Sequence, residues 1–230
     1  MDPYCLKTLN EERRARRAVM LLTDIADGRD RVIKENDPVA GALGAVVAQA
    51  FASGRSGVAQ VEGRSFFLNV HLPAPRLVVI GAVHISQALA PMAKIAGYDM
   101  QIIDPRTAFA SPERFADVKL IAEWPQDVLD ARPLDAYTGL VVLSHDPKID
   151  DPALDRALKA GCFYIGALGS RKTHAGRVDR LMAIGHGDEA IGRIHAPVGL
   201  DIGAANPSEI AVAILGEVIR SFRTRARPIA

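Results

Sequence analysis

The segment Arg76–Ser86, reading RLVVIGAVHIS, constrains this chain more than any other. A run of β-branched and aliphatic residues ends at Gly81, and a helical period begins almost at once. About two dozen residues after Gly81, a second apolar run, Tyr98 to Ile103, ends at Asp104. Strand, glycine turn, helix, strand and terminal acid is the layout of a Rossmann-type nucleotide site. In such a site the turn aims a helix N-terminus at a phosphate and the acid holds a ribose hydroxyl. The glycine pattern departs from the usual fingerprint, because Val83 and Ser86 stand where its later glycines belong. A valine side chain there fills the space a pyrophosphate needs, so the fold is supported and ordinary NAD(P) binding is not.

The rest of the chain agrees with one α/β domain preceded by a small one. Residues 1–72 form a small α+β domain in this reading. It holds a helix over Leu6–Arg17 and a hairpin of Ala18–Ile25 and Arg31–Lys34 turning at Asp27-Gly28. A second helix follows, capped by Asp37 with Pro38 in its first turn and stopped by Ser53-Gly54. A second hairpin, Val58–Val61 and Ser65–Val70, turns at Glu62-Gly63. Pro73-Ala74-Pro75 makes a stiff linker over 73–75, since two prolines end both helix and ladder.

Residues 76–230 then alternate buried strands (76–81, 98–104, 118–122, 138–143, 162–166) with helices (83–96, 151–160, 170–184, 207–224). Continuously apolar strands such as Leu77–Ile80 are those of a parallel sheet covered on both faces. The expected fold is therefore a Rossmann-like, doubly wound parallel sheet with a small N-terminal α+β domain. The basic stretch from Arg220 to Arg227 reads as a solvated helix end.

Composition removes several function classes. A net charge of +1 offers no electrostatic footprint for nucleic acid or an anionic membrane. No apolar run approaches the ~20 residues of a membrane-spanning helix. The N-terminal stretch, with Asp2, Glu11 and Glu12, has no signal-peptide core, and Cys5 and Cys162 lie apart with no metal-ligand spacing. The expected setting is cytoplasmic.

Five segments carry candidate binding residues and none carries a catalytic or metal-ligating set. The turn at Gly81, Val83, His84 and Ser86 is placed to receive a phosphate through its amides and the Ser86 hydroxyl, or is a plain strand-to-helix turn. Asp104 and Arg106 either discriminate a ribose or its phosphate, or form a surface turn. His145, in Ser144-His145-Asp146, is a ligand or partner contact at the carboxyl edge of the sheet, while Asp150 and Asp151 read as the cap and first turn of the next helix. Gly166, Gly169, Ser170, Arg171 and Lys172 form a second glycine turn with two bases at a helix start, suited to an anion. Asp201, in the long loop before the last helix, either faces a ligand or pins the loop. Cys162 reads as a buried small hydrophobe.

These segments together resemble the XdhC/CoxI family, accessory factors for molybdenum hydroxylases such as xanthine dehydrogenase and carbon monoxide dehydrogenase. The resemblance rests on the GAVHISQAL motif from Gly81, Asp104-Pro105-Arg106, Glu113-Arg114-Phe115, Ser144-His145-Asp146, the YIGALGSRK motif from Tyr164, the APVGLDIGA motif from Ala196, and Pro207-Ser208-Glu209. It covers about residues 76–224. It implies a chaperone, not an enzyme, that binds molybdenum cofactor, protects it during sulfuration and delivers it to a molybdenum hydroxylase apoenzyme. It also implies contact with a cofactor sulfurase or nucleotidyltransferase. Alternatives are an NAD(P)-dependent oxidoreductase and a ligand-free assembly bridge. Exposed hairpin edges in the small domain suit a homodimer.

Overall fold

The computed structural model describes residues 2–224, so the end of the basic stretch, beyond Thr224, lies outside the described residues. The described residues divide into two compact units, one of residues 2–73 together with Arg223 and Thr224, the other Ala74–Phe222.

In the first unit α1 (Pro3–Arg14) precedes β1 (Val19–Asp24), β2 (Asp30–Lys34), α2 (Gly41–Ser53), β3 (Gly57–Val61) and β4 (Arg64–His71). The strands pair antiparallel in the order β2-β1-β4-β3. At the β3–β4 turn both Glu62 and Gly63 have positive φ, 49° and 77°, the geometry whose twist matches a two-residue hairpin. Two helix boundaries differ from the expectation. The first helix starts at Pro3, not Leu6, because Asp2 caps it by accepting the Tyr4 amide at 3.0 Å. The second starts at Gly41, because Asp37 spends its carboxylate on the Lys34 amide (2.9 Å) and caps nothing.

The second unit runs β5 (Arg76–Ile80), α3 (His84–Ile95), β6 (Asp99–Ile103), β7 (Lys119–Ile121), α4 (Pro125–Ala131), β8 (Thr138–Val142), α5 (Pro147–Ala160), β9 (Tyr164–Ala167), α6 (Arg171–Ala183), α7 (Asp188–Ile191), β10 (Ile194–His195) and α8 (Pro207–Thr224). All neighbouring strands are parallel, in the order β10-β9-β8-β5-β6-β7. That is the doubly wound order of a Rossmann sheet, with its reversal between β5 and β8. Alternate strand residues feed two cores. Val78, Ile80, Leu140 and Val142 pack with Ile149, Leu154 and Leu158 of α5 and Leu181 of α6. Leu77, Val79, Val141 and Leu143 pack with Leu89 and Ala93 of α3 and Ile214 and Val218 of α8. With helices on both faces, ligand chemistry is left to the edge where the strands end.

Helix α5 starts at Pro147, four residues before the expected start. Asp146 is its cap, accepting the Lys148 amide at 2.9 Å, which displaces Asp150 and Asp151 from the roles expected of them. The short elements α4, α7 and β10 lie outside the strands and helices expected from the sequence.

Candidate functional site at the carboxyl edge of the sheet

Because the sheet is parallel, the turns after β5, β6, β8, β9 and β10 all emerge on one edge. The Gly81 and Gly169 turns are separated by a single strand, about 10 Å at the usual strand spacing.

The Gly81 turn is more closed than its sequence suggests. Gly81 has φ 114°, and a Cβ there would lie 3.0 Å from the Ser144 amide nitrogen, so β5 and β8 meet tightly at the sheet reversal. Of the amides that follow, Ala82 donates to the Asp104 carboxylate (2.8 Å) and Val83 to the Ser86 hydroxyl (2.9 Å). Ser86 is fully buried and returns its proton to the Val83 carbonyl at 2.8 Å. The Ser86 hydroxyl, expected as a ligand donor, serves in this structure as the internal cap of α3. His84 remains exposed. It borders an open hollow of about 630 Å³ shared with Gln87 and Ala88 of α3 and with Asn206, Pro207 and Ser208 at the start of α8. Two helix N-termini thus border one depression, and Asn206 caps α8 by accepting the Ser208 and Glu209 amides, both at 3.0 Å.

Asp104 and Arg106 are closed on each other. Asp104 is fully buried, and its oxygens accept the Arg106 amide (3.0 Å), Nε (2.9 Å) and Nη2 (2.8 Å) besides the Ala82 amide. The Arg106 guanidinium lies 4.5 Å from the Phe109 ring centroid. Burial acts to raise the Asp104 carboxyl, but Arg106 and the two amides outweigh it and hold the group below the usual carboxylate range. A ribose diol at Asp104 would have to compete with four existing hydrogen bonds, the arrangement expected of the alternative, a structural turn.

After β8, Ser144 is buried and His145 is turned outward in the left-handed region, φ 64°. That conformation costs a non-glycine residue about 1 kcal/mol or more, and it holds the imidazole on the solvent side. The Ser144 hydroxyl donates to Asp150 Oδ1 at 2.6 Å. Burial pushes the Asp150 carboxyl up to about 6, with Ser144 and the Arg177 charge opposing it less strongly. The unfolded chain releases this proton near pH ~4 while the folded chain keeps it to about 6, so stability falls as pH rises through that interval. Asp150→Asn keeps an acceptor for Ser144 and removes the buried charge. We expect it to exceed the native protein by about 2 kcal/mol at pH 8, in urea unfolding, and to lose the decline between pH 4 and 6. An unchanged pH profile would refute this.

The second glycine turn is as tight as the first, a Cβ at Gly169 lying 3.1 Å from Thr173, but of its amides the side-chain cap engages only that of Thr173. Gly169 has φ 138°, Ser170 caps α6 by accepting the Thr173 amide at 3.2 Å, and Arg171 and Lys172 are exposed on the first turn. Gly166 differs from its neighbours in kind. A Cβ there would come within 2.6 Å of both the Tyr164 hydroxyl and Val198, so this glycine serves packing within the strand layer. Asp201 is exposed in the loop 196–206 and does not pin it. Glu217 and Glu209 of α8 do, accepting the amides of Gly199 (2.9 Å) and Ala205 (2.6 Å).

Three buried polar groups near this edge are not among the residues expected from the sequence: Asp150 as a buried acid, Arg177 and Glu217. Glu217 also accepts the Tyr164 hydroxyl at 2.7 Å and sits 2.9 Å from His195 Nδ1. Burial, then Glu217 itself, drives the Tyr164 hydroxyl far up, so it stays a donor. Cys162 is 1% exposed and burial raises its thiol to about 12, which makes it inert as a nucleophile. Among the described residues no group of three or more His, Cys, Asp or Glu could hold a metal ion, and no helix is long and apolar enough to cross a membrane.

The model of the XdhC Rossmann domain matches residues 77–218, the whole of the sheet just described. The chain belongs to the XdhC family. XdhC relatives include the molybdenum cofactor insertion chaperone PaoD of Escherichia coli K12, 33% identical over 146 residues, 64% of this chain and 40% of PaoD. A probable xanthine dehydrogenase subunit of Bacillus subtilis 168 is 31% identical over 150 residues, 65% of this chain and 43% of that protein. Protein YqeB of Escherichia coli K12 is 33% identical over 156 residues, 68% of this chain and 29% of YqeB. The match therefore takes in less than half the length of these curated relatives. A crystal structure of a xanthine dehydrogenase from Bacillus halodurans superimposes with a TM-score of 0.65 at 21% identity, covering 98% of this chain and 66% of that one, which supports the shared fold.

Proposed function

We propose that this protein is a maturation chaperone that binds molybdenum cofactor at the carboxyl edge of its XdhC sheet and delivers it to a hydroxylase of the xanthine dehydrogenase type. The observation that carries this reading is the start of α6. There a glycine turn, a helix N-terminus and the exposed cations of Arg171 and Lys172 offer an anion the donors that the Gly81 turn spends on Asp104 and Ser86. The donor set fits the phosphate-bearing tail of a pterin cofactor. The name of PaoD, over nearly two thirds of this chain, supports the same class of ligand.

Whatever chemistry the cofactor performs belongs to the enzyme that receives it. The residues of this chain bind it, orient it and shield it from water, with Arg171 and Lys172 on the anionic tail and His84 and His145 facing the rim on either side of the sheet reversal. A carrier needs reversible contacts and no covalent catalysis. Accessory binding therefore suits this edge better than hydride transfer, for which Asp104 and the amides of Ala82 and Val83 would have to be free.

Mass spectrometry with metal analysis of the purified protein tests the reading, with near-equimolar pterin and molybdenum expected. Arg171→Ala should weaken cofactor uptake by about 1 to 3 kcal/mol, the range for a charge-assisted contact. Equal uptake by the variant would remove Arg171 from the site, and uptake of nicotinamide dinucleotide in place of pterin would overturn the assignment.

A further inference from the structure

We propose that Arg177, with His174, forms an inner receptor for a tetrahedral oxyanion beneath the start of α6. The inference rests on the reading of this edge as the anion-binding one and deepens it by naming the innermost charge contact.

Arg177 is 2% exposed although it carries a guanidinium. Helical side chains lean toward the N-terminus of their helix, and this one runs back far enough to donate from Nη2 to the Leu168 carbonyl at 3.0 Å. The guanidinium therefore lies under the turn that holds Gly169 and Ser170. Its Nε and Nη1 are buried and meet no acceptor. His174, one turn earlier on the same helix, likewise has a buried Nδ1 without a partner. The nearby acids do not fill the gap. Asp151 pairs with Arg180, and Asp150 turns Oδ1 to Ser144. Among the described residues no carboxylate comes within ion-pair distance of Arg177, though Asp150 and Asp151 act on it as charges.

Buried guanidinium donors are retained in folded proteins when something supplies acceptors, because an unpaired buried charge is among the costliest arrangements. Asp150 and Asp151 supply charge only at a distance, so the missing partner has to bring acceptors to Nε and Nη1 and be favoured beside a cation. A second cation is repelled. A tetrahedral oxyanion meets both requirements, with a Nδ1–H tautomer of His174 as a further donor. Two parts of a pterin–molybdenum cofactor present that chemistry, the phosphate ester and the oxo-metal end.

The test titrates inorganic phosphate and molybdate, at ionic strength fixed with chloride, into the full chain, reading heat of binding and thermal midpoint. Native protein should bind one of the two saturably and melt higher in its presence. Arg177→Met, which fills the same space without charge, should bind at least tenfold more weakly while melting no lower in chloride. Should that variant fail to fold, Arg177→Lys, which keeps the charge but loses the fork, should bind at least fivefold more weakly. Preference for phosphate assigns the ester tail, and preference for molybdate the metal end. Absence of binding by native protein, with Arg177→Met simply more stable, would leave only buried water at the guanidinium and overturn the proposal. Equal binding by native and variant protein would also overturn it. Pterin retained equally by native protein and Arg177→Met would sink the receptor and spare the chaperone reading. Arg177-dependent oxyanion binding without any pterin in native protein would do the reverse.

Discussion

Glu217→Ala is expected to lower folding stability by about 3 to 5 kcal/mol, read from the urea midpoint at constant slope. Glu217 is 5% exposed, and its carboxylate accepts the Tyr164 hydroxyl, the Gly199 amide and Arg220, with His195 Nδ1 at 2.9 Å. Alanine removes the acceptor and leaves a buried phenol and a loop amide without one, each costing about 1 to 3 kcal/mol, with a cavity added. Glu217→Gln should fall in between, since a single amide oxygen cannot serve both Oε1 and Oε2 partners. Faster hydrogen exchange at the Gly199 amide would report the released loop separately from global unfolding. A loss below about 1 kcal/mol would show that water replaces the carboxylate and that the node is not structural.

Asp104→Ala ranks next, at about 2 to 4 kcal/mol near neutral pH. The variant orphans the buried Ala82 amide, while Arg106, partly exposed, relaxes toward solvent and moderates the cost. Its pH dependence is signed. The carboxyl is held below its ordinary value, so its contribution is complete above about pH 4 and fades as pH falls through the lower folded value. Denaturation curves of native and Asp104→Ala protein should therefore converge in acid. A constant gap from pH 7 to pH 2 would mean the stabilisation is packing and not charge.

The sheet is legible in the sequence because its strands are almost uniformly apolar and its first turn carries Gly81 with an acid at 104. The elements that escape are those too short to show a period, such as β10, only Ile194–His195, and α7, only Asp188–Ile191. The site is less legible, and the reason is specific. Asp150, Arg177 and Glu217 each occupy the apolar phase of an amphipathic helix: Asp150 beside Ala153, Leu154 and Ala157, Arg177 four residues before Leu181, Glu217 between Ile214 and Val218. A charge in the buried stripe is the signal that marks them, and it lies in the helices, away from the loop motifs. Ser86 and Asp104 show the opposite case. Their positions fit a ligand site, but nothing in their spacing discloses that neighbouring amides already claim them. The expected Asp37 cap fails for the same reason, its carboxylate being taken by the Lys34 amide.

The fastening of the 196–206 loop has a mechanical outcome. Its tethers all lead to α8, the helix into which that loop runs: the Gly199 and Ala205 amides donate to the carboxylates of Glu217 and Glu209, and the Leu200 amide to the Ala213 carbonyl. Loop and helix must therefore travel as one lever. A slide of α8 along its axis would drag the stretch around Asp201 with it and resize the hollow beside His84, at the cost of the Tyr164–Glu217 bond to the sheet but with the loop tethers whole.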